Sequence, residues 1–151
     1  MADENLRGYK TLTGGYGKLW VDNELVAEFS SVTASITANR SDVQIGMSVD
    51  SKITSFTGEG TLTLYKVYSR ANKVLKNWKK GNDTRSKIVF SILDPDAVGG
   101  QEERVSIDNV WFNTLNIINA TKGEAISEEM PFGFTPEDVE YEGDIKKWVN
   151  Y

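Results

Sequence analysis

Ile53-Thr54-Ser55-Phe56-Thr57-Gly58-Glu59-Gly60-Thr61-Leu62-Thr63-Leu64-Tyr65-Lys66-Val67-Tyr68 alternates with a period of two. Phe56, Leu62, Leu64 and Tyr68 fall on one parity, with Gly58 and Gly60 between them. Ser55, Thr57, Glu59, Thr61 and Thr63 fall on the other. Successive side chains of an extended chain point to opposite sides, so this is a strand with one apolar and one Ser/Thr-rich face. The Gly58-Glu59-Gly60 interruption predicts a bulge or a close backbone approach.

Upstream, Arg40 to Lys52 loses the pattern, with Ser, Asp, Gln, Gly and Met around isolated Val and Ile. It reads as a long loop or arm with too little apolar surface for a core of its own, mobile in an isolated protomer. Before it, Lys18 to Phe29 reads as two extended runs joined at Asp22-Asn23, a turn-forming pair. The second run continues through Ser30 to Thr37, rich in β-branched residues. Gly14 to Gly17 reads as a flexible entry to the first strand, because no Lys-Ser/Thr follows to make a phosphate-cradling loop.

Downstream, Ser69 to Gly81 predicts the one helix. Ser69 stands at the cap, Ala71, Val74, Leu75 and Trp78 form a stripe, and Gly81 stands where the helix should stop. Lys87 to Leu93 alternates, with Ile88, Phe90 and Ile92 on one face. Arg104 to Ile118 reads as one long strand whose apolar parity switches, each switch implying a bulge. Ile126 to Phe134 is the last alternation before an acidic segment at 135–151. The chain therefore reads as one mainly β domain over residues 1–151, a β-sandwich or barrel-like fold with one packed helix.

Composition excludes more than it suggests. The 151 residues contain no Cys and no His, and 17 basic side chains face 22 acidic ones, for a net charge of -5. Thiol and imidazole nucleophiles, zinc sites built on them and disulfides are absent by composition. An acidic balance argues against wrapping nucleic acid. No catalytic, cofactor or metal set emerges. Asp94, Asp96, Glu102 and Glu103 lack calcium-loop spacing. The adjacent Glu128 and Glu129 point to opposite faces and cannot span a glycosidase cleft. Trp20, Trp78, Trp111, Tyr65 and Tyr68 sit within apolar stripes and read as core packing more readily than as a sugar platform. The first residues have no basic start or apolar run, so no signal peptide is expected, and no run is long enough to span a bilayer.

Charge is segregated. Lys66 to Lys87 holds eight basic residues against Asp83 alone, whereas Asp94 to Asp144 holds thirteen acids against Arg104 and Lys122. A solvated helix face plus an acidic tail accounts for this. Complementary patches that join copies head to tail account for it equally well.

Gly58 to Val67, Ser69-Arg70 and Glu128-Glu129-Met130-Pro131-Phe132-Gly133-Phe134 together resemble the tail tube proteins of contractile-tailed phages and phage-derived particles. The likeness is strongest to the XkdM-like tube proteins of PBSX-type defective prophages, and it covers nearly the whole chain. It implies hexameric rings stacked into the inner tube of a contractile tail, with sheath, baseplate and tape-measure proteins as partners. DNA would pass through the lumen without specific binding, and the tube would form in the host cytoplasm before entering a particle. On this reading Thr57, Glu59, Thr61 and Thr63 face the lumen, where an uncharged or acidic wall lets phosphates pass. Arg40, Asp42, Gln44, Met47, Asp50 and Lys52 belong to an arm that orders between rings. A type VI secretion-like tube shares these features, and a carbohydrate-binding β-sandwich is the competing class.

Overall fold

The computed structural model describes residues 12, 14–93 and 101–145. In chain order the strands are β1 (Gly17–Val21), β2 (Glu24–Leu25), β3 (Phe29–Ile45), β4 (Ser48–Tyr65), β5 (Ser86–Leu93), β6 (Glu102–Phe112), β7 (Ser127–Phe134) and β8 (Val139–Gly143). One helix, α1 (Arg70–Lys79), lies between β4 and β5. The described residues are thus mainly β. The Asp94–Gly100 loop and the last six residues lie outside the described residues.

The chain groups into two compact units. In the first, residues 14–27, 87–93, 101–107 and 139–145 order their strands β2-β1-β5-β6, with β8 on β6. Asp22 and Asn23 both have positive φ, 51° and 68°, the type I′ geometry expected of that pair. The extended run does not continue directly into Ser30, since β2 ends at Leu25 and Val26 turns inward to full burial. β5 differs from a one-sided strand, because Ile88, Val89, Ser91 and Ile92 are all buried. Leu19 completes this core, and Gly17 lies flat beneath Phe90, whose ring leaves no room for a side chain.

In the second unit, residues 28–86 and 108–138, the strand order is β6-β7-β4-β3, all antiparallel. The register lines up Val32, Leu62 and Met130, then Ala34, Gly60 and Phe132, then Ile36, Gly58 and Phe134. Leu62, Leu64, Val110, Phe112, Met130, Phe132 and Phe134 are buried, each contributing about 1.5–3 kcal/mol. Phe132 meets Phe112 edge-on at 6.4 Å between centroids. Gly58 and Gly60 are close approaches and not bulges, because the rings of Phe134 and Phe132 occupy the space of their missing side chains.

The bulges lie elsewhere. The β3–β4 register slips between Phe29 and Ser31 and between Asn39 and Arg40, leaving Ser30 and Thr54 as extra residues. The predicted Arg104–Ile118 strand stops at Phe112. Its one true parity switch sits at Asn109, with φ of 53°, a left-handed position that Asn tolerates. Beyond it, Asn116 and Asn119 donate side-chain hydrogen bonds to the Glu129 and Ser127 carbonyls at 2.8 and 3.0 Å. Such side-chain bonding competes with a backbone ladder.

α1 ends as the sequence predicts. Gly81, with φ of 79°, donates to the Trp78 carbonyl and Asn82 to the Asn77 carbonyl, the paired bonds of a Schellman motif. Its start is looser, because the Ser69 side chain makes no capping bond. Ala71, Val74 and Leu75 are half-buried, while Trp78 is 37% exposed.

Candidate assembly surfaces

The β4 alternation places Thr57, Glu59, Thr61 and Thr63 on one face, as expected. β3 more than doubles that face. Thr37, Ser35, Thr33 and Ser31 stand directly opposite those four residues in register. The Asn39 amide donates to Ser55 Oγ at 3.1 Å and Thr57 Oγ1 at 2.8 Å. Across β4's other edge, Gly133, Pro131 and Glu129 pair with Glu59, Thr61 and Thr63. Along Ser31–Thr37 and Thr57–Thr63 the result is a hydroxyl-rich wall whose charges, Glu59 and Glu129, are both negative. The β3 contribution was legible, since hydroxyl residues occupy every odd position from Ser31 to Thr37. It is invisible as a surface until the register sets it beside β4.

Residues 40–52 are not a loop. They form the outer part of a β3–β4 hairpin closed by Gly46-Met47, where the positive φ of 60° falls on Gly46 alone, the type II′ pattern. β7 covers β4 only from Gly58 to Tyr65. From Thr37 and Thr57 outward the hairpin pairs, among the described residues, only with itself, a ribbon about 30 Å long at the usual strand rise. Backbone pairing substitutes for the missing core, which composition alone could not reveal. Thr54, the bulged residue, donates from its hydroxyl to the Asn39 carbonyl at 3.0 Å.

The six arm residues do not share one surface. Arg40, Asp42 and Gln44 lie opposite Ile53, Ser51 and Val49, on the side that continues the apolar face. Asp50 and Lys52 lie opposite Val43 and Ser41, on the hydroxyl side. Met47 stands fully exposed at the tip. The apolar side remains uncovered, with Val49 67% and Phe56 56% exposed. β3 is also the end strand of its sheet, so its outer row of backbone groups has no strand partner among the described residues. A long edge of this kind is a template for pairing with another chain.

The remaining chemistry is sparse. Among the described residues no cluster of acids could hold a metal ion. Asp94 and Asp96 of the candidate acidic loop lie outside the described residues. Glu128 is buried and Glu129 exposed, on opposite faces as expected. The aromatics are not all core. Tyr65, Tyr68 and Trp78 are exposed, while arginines cover Trp20 (Arg104, 5.0 Å) and Trp111 (Arg85, 4.8 Å). Guanidinium stacking occupies the indole faces that a sugar ring would use. No helix among the described residues is long and apolar enough to cross a membrane.

A family model described as phage tail tube protein matches residues 4–142. This chain belongs to the phage tail tube protein family. Among curated relatives, the phage-like element PBSX protein XkdM of Bacillus subtilis (strain 168) is 33% identical over 138 residues, covering 89% of this chain and 93% of the relative. The uncharacterised protein YqbM of the same organism matches to the same extent. The fold of this tail tube family member is that of contractile-particle components. It is similar to the tube-terminating cap of the anti-feeding prophage, with a TM-score of 0.69 at 13% identity over 95% of this chain and 97% of that one. It is also similar to a chain of the sheath–tube complex of the extracellular contractile injection system PVC, with a TM-score of 0.68 at 12% identity over 89% and 93%.

Proposed function

We propose that this chain is the subunit of the inner tube of a contractile tail, with copies closing into hexameric rings that stack into a hollow conduit for DNA. The observation that carries this reading is the β3–β4 hairpin: an edge strand whose outer side meets no other strand among the described residues, continuous with a ribbon that no other described strand pairs with. Family membership supplies the tail tube context. The hydroxyl wall of β3 and β4 faces the lumen, where Thr57, Glu59, Thr61 and Thr63 present neutral or negative groups that exert no cationic pull on phosphates. The arm reaches the neighbouring ring, its apolar side of Val49, Ile53 and Phe56 covered there. Sheath, baseplate and tape-measure proteins meet the assembled tube, which forms in the host cytoplasm. The subunit acts through its own association and catalyses nothing.

The test replaces Arg40–Thr54, bulged residue included, with Asn-Gly, a type I′ turn that recloses the shortened hairpin at the Asn39–Ser55 pair. The truncated protein is expected to fold and remain a single ring or monomer by mass measurement, whereas the full chain forms tubes under electron microscopy. Normal tubes from the truncated chain would overturn the arm's role. A tube map with Thr57, Glu59, Thr61 and Thr63 on the outer surface would overturn the lumen assignment.

A further inference from the structure

The charge of α1 is one-sided. From Arg70 to Lys79 the helix carries four bases and no acid. Arg70 is engaged at its start by Glu28 and the Tyr68 ring. Lys73, Lys76, Lys79 and the capping Lys80 are exposed, and none has an ion-pair partner among the described residues. At 100° per residue, Lys73, Lys76 and Lys80 point away from the half-buried Ala71-Val74-Leu75 stripe, and Lys79 flanks them. The helix dipole accounts for bases in the last turn, but not for Lys73 or for the lack of any i, i+4 acid. Like charges at this spacing repel one another in an isolated chain.

A complementary segment exists on the same chain. Glu137, Asp138, Glu140, Glu142 and Asp144 follow one another without an intervening base. Arg104 neutralises Glu142 at 2.8 Å. The other four have no ion-pair partner among the described residues, and Glu137, Glu140 and Asp144 are exposed. A protein of net charge -5 with a bare basic helix face and a bare acidic segment carries both halves of an electrostatic contact.

We propose that the lysine face of α1 docks on the acidic Glu137–Asp144 segment of a second copy of this chain, giving the assembly its direction. The contact is heterologous, since one copy offers lysines and the next carboxylates, and so it can propagate around a ring or along a stack. This deepens the tube reading and rests on it for the occupant.

The test uses two charge-reversed proteins. The first carries Lys73→Glu, Lys76→Glu, Lys79→Glu and Lys80→Glu. The second carries Glu137→Lys, Glu140→Lys and Asp144→Lys. Each alone is expected to raise the concentration needed for assembly at least ten-fold while keeping the parent circular dichroism spectrum. Mixed in equal amounts, they are expected to co-assemble near the parent concentration, because each surface again meets its opposite. Raising salt from about 0.1 M to about 1 M shrinks the screening length from ~10 to ~3 Å, and should weaken the parent assembly and the mixture alike. If the first set disturbs the helix, four Lys→Gln changes replace it, with a smaller rise expected. Either variant assembling like the parent, or a folded pair that fails to form a mixed complex by native mass measurement, overturns the proposal. Parent tubes alongside such a failure leave the tube reading standing, whereas a parent that forms neither rings nor tubes removes that reading.

Discussion

Gly60→Ala measures how tightly the central strands of the second unit are held. A methyl carbon there would sit 2.2 Å from the Thr33 carbonyl oxygen on β3 and 2.5 Å from Phe132 Cζ on β7. Carbon–oxygen contacts normally start near ~3.3 Å, so the strands must part by roughly 1 Å. The ring cannot withdraw freely, since Phe132 is 1% exposed and packed between Phe112 and Phe134. Overpacking of this kind costs about 1–3 kcal/mol, and a weakened ladder hydrogen bond adds about 1 kcal/mol. A total near 3 kcal/mol, divided by a urea slope of about 2 kcal/mol/M, lowers the unfolding midpoint by about 1.5 M. The assay is urea unfolding followed by circular dichroism. Gly14→Ala, with no atom within 4 Å of the added carbon, is the control and should leave the midpoint in place. Adding Phe132→Leu to Gly60→Ala should recover only part of the loss, because the Thr33 oxygen remains. A Gly60→Ala midpoint within about 0.3 M of the parent would refute the close-approach reasoning.

Gly81→Ala places a side chain at φ of 79° in the Schellman motif and should cost about 1 kcal/mol by the same assay. Phe132→Ala opens a cavity in the second unit's core and should cost about 3–5 kcal/mol, enough to lower the thermal midpoint by about ten degrees or more. Glu28→Ala removes the partner of Arg70, whose side chain is 20% exposed, and should cost about 2 kcal/mol. Arg85→Ala uncovers the Trp111 ring, so tryptophan emission should shift to the red while stability changes by no more than about 1 kcal/mol.

Much of the first-order structure lies in local chemistry. Asp22-Asn23 specifies its turn because both residues tolerate positive φ, and Gly81 ends α1 for the same backbone reason. The Thr57–Thr63 parity specifies a two-faced strand, since side-chain direction alternates regardless of context. The absence of His and Cys removes whole classes of catalysis by composition. The arm was not legible. Val43, Ile45, Met47 and Val49 do alternate with polar residues, but the turn sets Val43 and Ile45 on one side of the ribbon and Val49 on the other. No single apolar face therefore marks the segment, and its order comes from cross-strand backbone bonds. The end of β6 at Phe112 was hidden likewise, because Asn116 and Asn119 redirect a chain whose Leu115 and Ile117 still look strand-like.

The sequence by itself therefore determined a mainly β chain, its Asp22-Asn23 turn, the α1 helix and its Gly81 stop, and its family. The tertiary structure decided which residues stand side by side. Register set Ser31, Thr33, Ser35 and Thr37 beside the Thr57–Thr63 row and made one wall from two separate segments. Among the described residues it also left β3 at the edge and the outer hairpin without a covering strand. Such surfaces arise from pairing between residues distant in sequence, which no local pattern encodes.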